Sequence, residues 1–269
     1  MGITGASRDL VAMSMAIVLV SRFVDGPVVW PVGIVLLAAV WLGTLQVLGD
    51  GTPSTTGPGV PVEALIVPGV TAVGIFGAIR LVPVGLLLVP ALLIGAWLLA
   101  RVLGTESRLL ASQKSPSSAD RTAVMSEAMV VGLLAFAGIA ALVPGGLPEP
   151  GASVVAPTGA QLAVLAGADA VIAFLLGYRA AALRTTSLRE VAWFALTNAI
   201  VIAIAATALR AMEIPRLLGP ALLVLVFFLW DAIHVAPASR RRNARWIWEA
   251  LLLVVLAVVV VAWSVRLRA

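Results

Sequence analysis

Apolar stretches of about 16 to 25 residues recur along the whole length of this chain, and this pattern limits the fold more than any motif does. A helix rising 1.5 Å per residue needs roughly 20 residues to cross a hydrocarbon core of ~30 Å. Hydrophobic residues make up 61% of the chain and charged residues only 12%, too few to cover so much apolar side chain in water. The longest polar piece between the apolar runs, Gly104 to Ser126, is shorter than an ordinary soluble domain. The chain is therefore read as a single integral membrane domain over 1–269, an all-α polytopic transmembrane bundle in the cell membrane, with the lipid bilayer as its solvent.

Nine membrane-spanning helices are predicted, over about 10–25, 28–48, 63–80, 82–103, 127–143, 160–183, 188–210, 215–236 and 246–266. Turn chemistry separates them. Asp25-Gly26-Pro27 breaks the first pair, 50–61 and 144–159 are rich in Gly, Pro, Ser and Thr, and Pro215 stands at the start of helix eight, where its missing N–H costs little. Pro68, Gly69, Pro83 and Pro90 are expected to interrupt helices three and four, as the discontinuous helices of transporters are interrupted. The first apolar run follows Arg8 and is short, but no small-residue cleavage site comes after it, so it is kept as a helix.

With the 4–5, 6–7 and 8–9 connections on the inside, 12 of the 18 Lys and Arg residues are cytoplasmic, led by Arg240, Arg241, Arg242 and Arg245. The positive-inside rule then puts the N-terminus in and the C-terminus out. Each helix expected to start inside opens with one acid, namely Asp9, Glu63, Glu127, Glu190 and Glu249, suited to the partial positive charge of a helix N-terminus. Glu63-Ala64 with Gly74-Ile75 matches Glu127-Ala128 with Gly138-Ile139 at a shift of 64, a hint of internal duplication.

Several chemistries are excluded or disfavoured by residue type. The net charge of +5 is dispersed over helix ends rather than gathered on one face, so no nucleic-acid partner is expected. There is no cysteine and hence no thiol chemistry. The one lysine, Lys114, lies in a polar stretch and cannot form a retinal Schiff base inside a helix. No two acids lie closer in sequence than Asp120 and Glu127, so clustered carboxylates for Mg²⁺ and diphosphates are not suggested. A single histidine cannot build a zinc site or a bis-histidine haem. No cofactor is predicted; His234 could serve at most as one axial ligand to a haem or chlorin.

Two polar groups remain as candidates. Asp169 lies about nine residues into helix six, near the bilayer centre, and Asn198 falls at a similar depth in helix seven. They are expected to form a mid-membrane polar pair, which either pins two helices or serves a proton or cation. No base is expected beside them. At the cytoplasmic interface Asp231, His234, Arg240, Arg241, Arg242 and Glu249 form the second cluster, read either as a belt of headgroup anchors or as a pocket for a headgroup or an acidic partner segment. Asp231, His234 and Glu249 are also the one candidate acid/base group for an enzyme. With no recognisable catalytic set, the reading is a non-enzymatic accessory, assembly or stabilising subunit of a membrane complex. The alternative is a proton- or ion-coupled carrier of a small or lipophilic solute that uses Asp169. Small faces on helices five (Gly132, Ala135, Gly138, Ala141) and six (Ala163, Gly167, Ala170) can pack against each other or against another chain, and a contact through them with a membrane-protein partner or a second copy is expected.

Overall fold

The computed structural model describes residues 5–49, 60–112, 117–143, 146, 158–212 and 218–235, together with 248, 251–253, 255 and 259. Eight α-helices run through them: α1 (Gly5–Ser21), α2 (Val29–Gly49), α3 (Ile66–Ala78), α4 (Leu88–Ala111), α5 (Ser118–Leu142), α6 (Gly159–Ala182), α7 (Leu188–Ala211) and α8 (Leu218–Val235). Single 3-10 turns at Gly26–Val28, Val62–Leu65 and Ile79–Leu81 extend α2 and α3. The described residues contain no strand. Six helical segments, from Gly26–Gly49 through Leu188–Ala211, are long and apolar enough to cross a membrane. The protein thus has the make-up of a multi-pass membrane protein. Of the expected ninth helix only Trp248, Leu251–Leu253, Val255 and Val259 are described, and they are helical. Lys114, Ser153, Pro215, Arg240, Arg241, Arg242, Arg245 and Glu249 lie outside the described residues.

The polar piece Gly104 to Ser126 is largely helix, which corrects two predicted boundaries. α4 continues to Ala111 because its buried side keeps the helical period through Leu99, Val102, Leu103 and Glu106. α5 opens nine residues earlier than expected (118 against 127), at a capping box: the Ser117 hydroxyl accepts from the Asp120 N–H at 3.2 Å, and the Asp120 carboxylate accepts from the Ser117 N–H at 3.0 Å. Glu127 is therefore in the third turn of α5 and does not open a helix. Asp9 likewise sits past the first turn of α1, whereas Glu63 and Glu190 occupy first turns as expected. Pro68 and Pro90 do not interrupt helices either. Pro90 lies in the first turn of α4, where the missing N–H has no intrahelical acceptor to lose; Pro68 stands just past the junction of the Val62–Leu65 3-10 turn with α3, and Pro83 falls in the connection between the two helices.

Two apolar clusters hold the bundle. One joins α1, α2, α3 and α4 around Leu36, Val40, Phe76 and Leu99; the other joins α3 to α8 around Val131, Phe136, Leu165, Leu176, Ile202 and Phe227. Helix α3 belongs to both, and its bond to α5 is a backbone contact. A Cβ at Gly138 would stand 2.8 Å from the Gly74 carbonyl oxygen and 3.1 Å from the Gly77 Cα, and one at Gly74 would stand 3.0 Å from the Ala135 N. Small residues permit this approach, and in lipid close packing is what attracts one helix to another. The two glycines matched by the 64-residue shift thus meet at this crossing. The small face of α5 is thus packed inside the chain, one of the two uses open to it. Gly138→Ala should cost ~1–3 kcal/mol by overpacking, read as a lower melting temperature in detergent. Gly167→Ala, at a position with no atom within 4 Å of an added Cβ, should be neutral.

Candidate functional site

Buried acids matched to arginines of other segments are the polar content of this bundle. Glu106, near the end of α4, is 2% exposed. Arg179 of α6 holds it with two bonds, Nε donating to Oε1 at 3.1 Å and Nη2 to Oε2 at 2.5 Å. Beside it Glu127 of α5, also buried, accepts at Oε1 from the Thr105 hydroxyl (2.8 Å) and from Arg101 Nε (3.1 Å). Arg101 is half-exposed and lies over the Trp97 ring, while Arg108 Nη2 donates to the Thr105 hydroxyl oxygen at 3.1 Å. Since Thr105 and Glu106 are adjacent, two carboxylates and three guanidiniums from α4, α5 and α6 make one cluster. Each ion costs several kcal/mol to desolvate, and two-bond guanidinium geometry is the form of pairing that offsets this best.

The second site lies between α6 and α7. Asp169 and Asn198 are both fully buried there, but they do not bond to each other. Arg210 Nη2, from the last turn of α7, stands 2.7 Å from Asp169 Oδ2. A base is therefore present where none was expected. The contact is an ion pair without hydrogen-bond alignment: neither Asp169 oxygen, nor Arg210 Nη1, has a hydrogen bond among the described residues. Asn198 sits one turn further along, its Nδ2 donating weakly to the Ala173 carbonyl at 3.5 Å. Gly177 makes room for it, since a Cβ there would come within 2.8 Å of that nitrogen.

The third site is part of the expected interface cluster. Asp231 of α8 pairs with Arg184, beyond the end of α6, at 2.7 and 2.9 Å. One turn on, the His234 ring lies tilted against Trp230 at 4.1 Å and meets Phe194 edge-on at 5.7 Å. The His234 Nδ1 lies 2.9 Å from the Trp230 carbonyl oxygen. Asp231 is thus engaged by an arginine, and Glu249, the third member of the expected acid/base group, lies outside the described residues.

Each of the four buried acids described, Glu106, Glu127, Asp169 and Asp231, faces an arginine from another segment. No family model, curated protein or solved structure matches the chain. What the geometry can do chemically follows from the pairs themselves. They can lock helices together, and at Asp169, where the pairing is least complete, they can exchange a proton or an ion.

Proposed function

We propose that the chain is a nine-span protein of the cell membrane, N-terminus in the cytoplasm and C-terminus outside, that acts by contact as an accessory, assembly or stabilising subunit of a membrane complex. The observation that carries this reading is the free small face of α6. Among the described residues Ala160, Ala163 and Gly167 are exposed, and an added Cβ at Gly167 meets nothing within 4 Å, whereas the small face of α5 is filled by α3, α6 and α8. A helix that meets another in lipid does so through such residues. The opposite side of α6 is fixed by Arg179 and Asp169 to α4 and α7, which makes it a rigid support for a contact. Gly167→Leu should therefore release a co-purifying partner or second copy, seen as a smaller particle in mild detergent, with the melting temperature unchanged. An unchanged particle size would remove α6 from the interface.

Orientation can be checked with single cysteines, since the chain has none of its own. Ser118→Cys spares the Ser117 cap, and should be labelled only after the inner face is opened. Ser153→Cys should react in intact cells. The reverse pattern would invert the whole arrangement.

A second reading, a proton- or ion-coupled carrier of a small or lipophilic solute, is favoured by one observation: Asp169 is fully buried beside Arg210 without hydrogen-bond alignment. Such a pair can trade a bound cation for its internal partner.

A further inference from the structure

A cavity of 510 Å³ opens between α3, α4 and α5, and it sits beside two arginines that neither apolar packing nor the ion pairs above account for. Its wall includes Ile75, Ile79, Val82, Ile94, Leu133 and Ala137. The size falls within the ~300–1,000 Å³ of ordinary ligand sites. Leu133 lies nine residues from the end of α5 (142 − 133), roughly 14 Å at 1.5 Å per residue, so the cavity reaches about half-way through a ~30 Å core. That is the depth of one leaflet's acyl chains.

Two arginines stand next to this apolar wall without lining it. Arg80 stands between Ile79 and Leu81, both of which line the cavity, and Arg22 Nη2 donates to the carbonyl of Val82, another lining residue, at 3.3 Å. Arg80 Nη2 donates to the carbonyls of Ser21 and Val24 at 2.8 and 2.6 Å, which closes the end of α1. Nε of Arg22 and Nε of Arg80 are buried, so only the terminal guanidinium nitrogens can meet an anion from outside. The acid nearest Arg80, Asp25, is 3.8 Å away and 92% exposed. Two positive charges thus face one remote, hydrated negative charge. In the α3–α4 connection that follows, Val84, Leu86 and Leu87 are exposed, with Gly85 at a φ of +152° to form the bend, an apolar surface suited to lipid.

We infer that this cavity holds one acyl chain of an anionic phospholipid whose phosphate is bound by Arg22 and Arg80. The apolar wall selects a chain, the depth selects a lipid resident in that leaflet, and two guanidiniums set against one exposed carboxylate select a negatively charged headgroup. This site does not depend on the contact reading of α6.

The test uses the intact protein in mild detergent, titrated with phosphatidylglycerol or with phosphatidylcholine of the same chains, and reads bound lipid by native mass spectrometry. Phosphatidylglycerol should bind about tenfold more tightly, the size expected of one charge-assisted hydrogen-bond set. Arg22→Gln with Arg80→Gln should remove that preference. Because these arginines also close α1, a second variant keeps them: Ala91→Trp fills the cavity and should abolish retention of both lipids. Leu93→Trp, on the exposed side of α4 away from the cavity, should retain them. Equal binding of the two lipids by the unaltered protein would mean a nonspecific lipid groove and overturn the inference. Phosphatidylglycerol retention unaffected by Ala91→Trp would overturn it as well.

Discussion

Arg179→Leu alone should destabilise the protein by ~3–5 kcal/mol, because Glu106 would be left charged in an apolar interior with no guanidinium. Glu106→Leu alone should do the same with the sign of the stranded charge reversed. The double variant Glu106→Leu with Arg179→Leu should come back to within about 1 kcal/mol of the parent or exceed it, since a buried ion pair rarely outperforms well-packed apolar side chains. Melting temperatures of the four proteins in one detergent give the coupling directly. Equal losses in the single and double variants would show that the pair is not an isolated, buried unit. Its neighbours Glu127, Thr105 and Arg101 would then be sharing the charge.

The Asp169 pair should behave asymmetrically. Arg210→Leu leaves Asp169 stranded ten residues inside α6 (169 − 159), with a short side chain that cannot reach water, so the full ~3–5 kcal/mol is expected. Asp169→Leu leaves Arg210, one residue from the end of α7, with a long stem that can turn outward to the interface, and should cost less. Asp169→Asn keeps the shape and removes the charge. If the protein acts by contact, Asn at 169 should preserve abundance and partner binding. In a coupled carrier it should abolish transport while abundance is unchanged.

The difference between these residues and their partners explains what the sequence could reveal. Asp169 is legible because it is the lone ionisable group in a long apolar run. Its partner is not, because Arg210 stands at a helix end, where an arginine reads as a headgroup anchor. Only the fold shows that its side chain points back along α7 towards the bundle, as helical side chains do. Asn198 was legible as a buried polar group for the same reason as Asp169, yet the register that sets it over Gly177 and Ala173, rather than beside Asp169, is a property of how α6 and α7 cross. Glu106 and Glu127 were missed for a different cause. Glu106 lies in a stretch so polar on average that hydropathy reads a loop, and Glu127 reads as the acid that opens helix five, although the Ser117 and Asp120 capping signature and the period Leu99, Val102, Leu103, Glu106 were both in the sequence. The small faces of α5 and α6 look alike as letters, and nothing in them says that Gly74 will fill one and leave the other open.

That open face is the feature on which the contact reading depends, and cross-linking in native membranes tests it most directly. A single cysteine at Gly167, with Leu93→Cys on the exposed side of α4 as the control, is treated with a short bifunctional thiol-to-amine reagent before any detergent is added. The expected result is a discrete adduct larger than the chain from position 167 and none from 93. Adduct formation from neither, or an internal cross-link at the mass of the single chain from 167, combined with solute transport by the purified monomer that is lost in Asp169→Asn, would contradict the contact reading and put the carrier in its place.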